Sequence, residues 1–198
     1  MTNQRTKDLI IMVGVVLFIV IGCFAYSYFE KLKKAEEDYN NLLTSTAEML
    51  YQYEQVAESH CKNIENIWYN SIYKVSDDNY NEYVISDGKY NDFNTSILAY
   101  YEKNIESMEE LRKGKDSIED GMKLLRVIRD KYNFDDSVYN SLMNLYNSFS
   151  KIEEMAIAPN GSYNQYSSQL LQYINEFREQ YRIVKISLPN DNFNTLGK

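Results

Sequence analysis

Residues 43–75, LTSTAEMLYQYEQVAESHCKNIENIWYNSIYKV, decide how this chain folds. Leu43, Ala47, Leu50, Ala57, Cys61, Ile64, Trp68, Ile72 and Val75 recur in steps of three and four, with one polar gap at Glu54. That is the period of an α-helix with one apolar face. A neighbouring stripe, Leu32, Tyr39, Leu42, Met49, Tyr53, Val56 and His60, widens this face enough to meet more than one partner helix. Neither Gly nor Pro occurs between residues 23 and 87, so the helix is expected to run unbroken to about Ser76.

Working back from that helix, residues 9–29, LIIMVGVVLFIVIGCFAYSYF, carry no charge. A helix of this length rises about 30 Å, the thickness of a bilayer's hydrocarbon core. Three readings fit it. A cleaved signal peptide matches the short basic start at Arg5 and Lys7, but the apolar run is long and has no small-x-small cleavage site. A lipoprotein signal matches Val20-Ile21-Gly22-Cys23, which makes Cys23 a candidate for lipidation, yet the apolar run continues past it. The third reading, favoured here, is an uncleaved signal anchor. Leu9, Val16, Phe18 and Cys23 then lie in the bilayer, and Tyr26 and Phe29 join Tyr28 in an aromatic belt with Lys31, Lys33 and Lys34 outside it.

The lysine count after the span points the C-terminal domain toward the cytoplasm. Glu30, Glu36, Glu37 and Asp38 interleave those lysines, and signal anchors with short N-terminal tails commonly translocate the domain on their C-terminal side. The favoured orientation places the domain outside.

The formal net charge of −8 falls wholly beyond residue 29, since Arg5, Lys7 and Asp8 leave the start at +1. An acidic domain is a poor nucleic-acid ligand, because phosphate neutralisation needs clustered Lys and Arg. It is also ill suited to lying flat on anionic lipid. The two cysteines, Cys23 and Cys61, are separated by about 57 Å along one helix and cannot pair within the chain. Nineteen tyrosines accompany abundant Asn, Ile and Lys, residues that share AT-rich codons, so their number alone implies no binding surface.

Downstream, residues 77–91 (DDNYNEYVISDGKYN) read as a loop. A second helix carries Phe93, Ile97, Tyr100, Ile105, Met108 and Leu111, then Ile118, Met122, Leu125 and Ile128. Gly114 and Gly121 each cost about 1 kcal/mol relative to Ala in a helix, and Asp116-Ser-Ile-Glu119 has the form of a capping box. A bend or short break is therefore expected near Lys113–Lys115, with the apolar stripe staying in phase across it. Asp135 or Asp136 caps a third helix on Val138, Leu142, Leu145, Phe149, Ile152 and Met155. Pro159-Asn-Gly161 is a turn. Ser162 with Gln165 forms a capping box for a fourth helix on Tyr166, Leu170, Ile174, Phe177, Tyr181 and Val184. No strand pattern competes.

Chemistry-bearing constellations are scarce. The single histidine, His60, sits on an apolar stripe, and Cys61 beside it points about 100° away on a helix. A di-iron site needs Glu-x-x-His twice, and one histidine preceded by Ala57 three residues earlier excludes it. Phosphate loops, zinc-protease and nucleophile-elbow motifs are missing, and no acidic pair has calcium-loop spacing. No catalytic residue, metal ligand or cofactor is expected. Trp68 is expected in the core, with an exposed anchor for a partner as the alternative.

Several landmarks together resemble a known family. Trp68-Tyr-Asn-Ser-Ile72 resembles its Trp-x-x-Ala/Ser-Ile signature. Val138-Tyr-Asn-Ser-Leu-Met-Asn-Leu-Tyr146 with Pro159-Asn-Gly-Ser-Tyr163 resembles its Tyr-x-x-Leu-x-x-Leu-Tyr … Pro-Ser-Gly-Ser-Leu block. Glu176-Phe-x-x-x-Tyr181 and Leu188-Pro189 are similar to its ending. The family comprises small helical proteins of Gram-positive bacteria and their phages, held by an N-terminal membrane segment or lipobox. Over residues 40–189 the resemblance implies a helical domain outside the membrane and carries over no catalytic residue. The chain departs from the pattern at Asn160 and Tyr163, and at Asp135-Asp136, where the family tends to have prolines.

The expected architecture is all-α: a single N-terminal transmembrane helix continuing into an elongated antiparallel four-helix bundle. Residues 1–8 form a short tail, 9–29 the anchor, 30–189 the bundle (helices about 30–76, 92–131, 136–157 and 163–185) and 190–198 a frayed end. The expected function is a non-enzymatic membrane-anchored interaction protein at the outer face of a bacterial membrane. Its partners would be the bilayer and a protein, with no nucleic acid, and a homodimer through the first helix is the alternative to packing within the chain. Two other readings stay open: a ligand-binding sensor bundle working with a partner subunit, and a cytoplasm-facing membrane scaffold.

Overall fold

The computed structural model describes the backbone of residues 2–188 and the side chains of residues 26–188. The described residues are all-helical apart from one minimal hairpin. The elements are α1 (Thr2–Tyr73), α2 (Asn81–Val84), β1 (Ile85–Ser86), β2 (Lys89–Tyr90), α3 (Phe93–Lys103), α4 (Ile105–Tyr132), α5 (Ser137–Ile157) and α6 (Tyr163–Ser187).

Helix α1 is one unbroken element of 72 residues, about 110 Å long. No side chain from Tyr26 to Asp38 is buried, so about 20 Å of helix stands clear of the body. From Tyr39 onward its stripe turns inward: Leu43, Ala47, Leu50, Ala57, Cys61 and Ile64 are at most 2% exposed. Helices α3, α4, α5 and α6 all pack on this half of α1, and α5 also packs along α6. The stripe ends sooner than its spacing implies. Lys74 adopts a left-handed conformation (φ 55°), the helix stops, and Ile72 and Val75 are left exposed.

Among the described residues no helix is long and apolar enough to cross a membrane. The side chains of the expected anchor residues Leu9, Val16, Phe18 and Cys23 lie outside the described set, as do residues 189–198. Tyr26 and Phe29 are described and exposed.

Three local expectations need correction. Residues 77–91 are not wholly loop: α2 and a two-stranded antiparallel ladder, Ile85 opposite Tyr90 and Ser86 opposite Lys89, occupy part of them. Asp87 (φ 51°) and Gly88 (φ 72°) take the two left-handed positions that a two-residue hairpin turn requires. Second, the helix is not interrupted at Lys113–Lys115. The break falls at Asn104, which ends α3 and begins α4; its amide side chain donates to the Tyr100 carbonyl at 2.9 Å. Asp116 therefore sits inside α4 and caps nothing. Third, the break shifts the phase of the apolar stripe, so Ile105 faces solvent at 61% exposure, while Met108, Leu111, Ile118, Met122 and Leu125 remain in the core.

The glycines of α4 serve contact. A Cβ at Gly114 would lie 2.2 Å from Cε1 of Tyr53, and one at Gly121 3.0 Å from the Thr46 hydroxyl. Both neighbours belong to α1. At the start of α5, Asp135 accepts from the Ser137 amide (3.0 Å) and hydroxyl (2.7 Å). Ser162 and Gln165 form a reciprocal capping box at the start of α6.

Candidate functional site

Polar groups on α1 enter the core at two places. At the first, His60 is 5% exposed. Its Nδ1 lies 2.6 Å from the Tyr100 hydroxyl and its Nε2 2.9 Å from the Ser107 hydroxyl. Asn63 donates its amide to Tyr100 at 3.2 Å, Tyr80 donates to Asn63 at 3.2 Å, and Asn66 donates to Tyr80 at 2.9 Å. This line of hydrogen bonds joins α1 to α3, to α4 and to the segment preceding α2.

These bonds tie His60 into a network between helices. Burial pushes the Tyr100 hydroxyl up to about 12, so it keeps its proton. It accepts from Asn63 and donates to Nδ1. The remaining ring proton then sits on Nε2 and points at Ser107, an assignment inferred from the network. Burial also lowers the His60 pKa, which keeps the ring neutral. The cluster brackets α1, α3 and α4 together.

At the second place, Glu54 is 1% exposed and fills the polar gap in the stripe. Gln55 donates to its Oε2 at 3.3 Å, and its Oε1 has no hydrogen-bond partner among the described residues. Burial, reinforced by the neighbouring Glu58 charge, raises its pKa to about 7. For Glu58 burial works the same way, but the Lys62 ammonium and then the Arg178 guanidinium of α6 outweigh it and lower its pKa. Arg178 Nη2 lies 3.2 Å from Glu58, and Lys62 also pairs with it. Two carboxyl groups one turn apart are thus pushed in opposite directions by their surroundings.

Trp68 is 6% exposed, its ring stacked on Phe93 with centroids 3.8 Å apart and tilted against Tyr166 at 5.4 Å. It holds the start of α3 against α1 and presents no face outward. Cys61 is buried, donates to the Ile152 carbonyl at 3.4 Å, and has its thiol pushed up to about 12 by burial. Both side chains are buried in the body. Among the described residues no group of three or more His, Cys, Asp or Glu is placed to hold a metal ion.

The surface of the bundle carries one feature that the sequence reading missed. Two adjoining cavities, about 290 Å³ and 340 Å³, share Leu98, Tyr101 and Ile157. Together they form a groove between the outer face of α3–α4 and the end of α5. Leu98 and Ile105 are 62% and 61% exposed along it. The Tyr101 hydroxyl donates to the Ala156 carbonyl at 3.0 Å, fixing the floor. The signal was present in the sequence as Leu98, Tyr101 and Ile105, a second apolar spacing that joins the core stripe at Met108. Compared with known protein families, curated proteins and solved structures, the chain shows no match.

Proposed function

We propose that this chain is a non-enzymatic, membrane-anchored interaction protein whose helical body stands at the outer face of a bacterial membrane. In this reading the apolar residues 9–29 form the transmembrane start of α1. The body is an antiparallel four-helix bundle in which α3 and α4 together make one member. The observation that carries the reading is the continuity of α1: one helix of 72 residues runs through the apolar stretch, across the exposed turns from Tyr26 to Asp38, and into the core. Such a helix couples the body rigidly to its anchor and holds it clear of the headgroups. The polar interior fits the same reading, since both ring nitrogens of His60 are engaged by hydroxyls of neighbouring helices. The resemblance of Trp68–Ile72 and of the segment 138–163 to anchored helical proteins of Gram-positive bacteria agrees with it.

Protease shaving of intact, wall-stripped cells carrying a C-terminally tagged protein tests the reading. The expected result is loss of the tag while a cytoplasmic control protein survives. Protection of the tag until the membrane is lysed would overturn the orientation and make the protein a cytoplasm-facing scaffold.

A further inference from the structure

We propose that the groove between α3–α4 and the end of α5 is the docking surface for a basic amphipathic helix of a partner protein. The inference rests on reading the chain as an interaction protein, and it names the kind of partner and the face that meets it.

The first observation is spacing. Leu98, Tyr101, Ile105 and Met108 succeed one another in steps of three, four and three and line the cavity of about 290 Å³, to which Arg112 also contributes. Leu98 and Ile105 lie outside the core stripe at 62% and 61% exposure, while Met108 and Tyr101, whose hydroxyl donates to the Ala156 carbonyl of α5, form the floor beneath them, so the outer edge of α3–α4 carries an apolar seam open to solvent. Seams with this period accept the side chains of another helix as knobs into holes. From Leu98 to Arg112 the seam is divided between α3 and α4 at Asn104.

The second observation is charge, and it selects the occupant. Glu102 and Glu109 line the groove, and Glu106 is exposed between them. Arg112 is the one cation lining the same cavity. Nearby Lys103 is engaged by Glu82, and Lys113 lies 3.9 Å from Glu109. The opposite wall is the C-terminal end of α5, where the helix dipole is negative, and the last turn of α5 carries no basic residue to offset it. A partner helix with Lys or Arg flanking an apolar stripe complements both walls. A second copy of this chain does not, because it would set Glu102, Glu106 and Glu109 against their own counterparts.

The test uses the full chain in phosphatidylcholine nanodiscs, with empty nanodiscs subtracted. Two fluorescent 18-residue helical peptides share a leucine stripe at heptad spacing; one has Lys at the flanking positions and the other Glu. The Lys peptide should bind at least ten-fold more tightly by anisotropy. L98E/I105E should weaken it at least ten-fold, and E102K/E109K should reverse the order of the two peptides. Leu171→Glu, on an exposed apolar position of α6, should change nothing. Equal binding of the two peptides, indifference to L98E/I105E, or self-association of the wild type that L98E/I105E abolishes would overturn the proposal. Its failure is separable from failure of the anchored-protein reading, which protease shaving tests without reference to the groove.

Discussion

Gly114 of α4 meets the ring of Tyr53 of α1 so closely that a Cβ there would lie 2.2 Å from the ring's Cε1. The glycine is a contact residue, and local helix propensity opposes it. Adding a methyl group relieves a propensity cost of about 1 kcal/mol but forces the ring or the helix to move, which costs about 1–3 kcal/mol in packed sites. Gly114→Ala should therefore lower the urea midpoint. In a Tyr53→Ala background the same substitution should raise it. An unchanged sign in the two backgrounds would remove the packing explanation.

The raised pKa of Glu54 makes stability depend on pH in a stated direction. The folded state holds its proton up to about pH 7, whereas the carboxyl's unperturbed value is 4.5. Between these values the folded state binds more protons than the unfolded one, so stability is lost as pH rises through this window. Glu54→Gln keeps the shape without the charge. It should raise the unfolding free energy at pH 8 by roughly 1–3 kcal/mol and leave it little changed at pH 4. Urea titrations at the two values decide this, and parallel curves for both proteins would contradict it.

His60 acts in the opposite sense. Burial lowers its pKa below the ordinary 6.5, so the unfolded chain takes up a proton first as pH falls. Its contribution is present above about pH 6.5 and is lost below it. In the Glu54→Gln protein, where the opposing group is silent, stability should fall between pH 6.5 and 5. Adding His60→Gln should flatten that interval while lowering stability throughout, because the bonds to Tyr100 and Ser107 change. A persistent fall in the double variant would assign the pH response elsewhere.

Trp68 is the only tryptophan, so its fluorescence reports the α1–α3 contact without interference. Stacked on Phe93 and nearly closed to solvent, it should emit at short wavelength and resist iodide quenching in the native protein. Phe93→Ala should shift the emission toward the red and increase quenching while the chain stays helical by circular dichroism. Strong quenching in the native protein would mean that the indole faces outward.

The fold was legible where burial obeys a single period. Leu43, Ala47, Leu50, Ala57, Cys61, Ile64 and Trp68 announce one helical face because they are local in sequence and share one environment. Ser162 and Gln165 could be read as a cap because both partners lie within one turn. Gly114 could not be read, since the reason for it is Tyr53, a residue remote in the chain. The break at Asn104 has no proline or glycine to mark it, and missing it placed Ile105 on the wrong face. The outer groove was missed for the same reason: its seam through Leu98 and Ile105 shares helices with the stronger core stripe. Asp87-Gly88 did carry a hairpin signal, but strands of two residues each are too short to show alternation.

The central claim is that α1 starts inside the membrane and continues outward into the bundle. Labelling with a membrane-impermeant maleimide tests it most directly, using one added cysteine at a time at Asn3, Val16 or Glu37 in a Cys23→Ala chain. Cys61 stays in place, because burial and a thiol pushed up to about 12 keep it unreactive. In intact, wall-stripped cells Glu37→Cys should label at once, Asn3→Cys only after lysis, and Val16→Cys in neither condition. Labelling of Asn3→Cys with protection of Glu37→Cys would reverse the orientation, and ready labelling of Val16→Cys in lysed membranes would contradict the anchor itself.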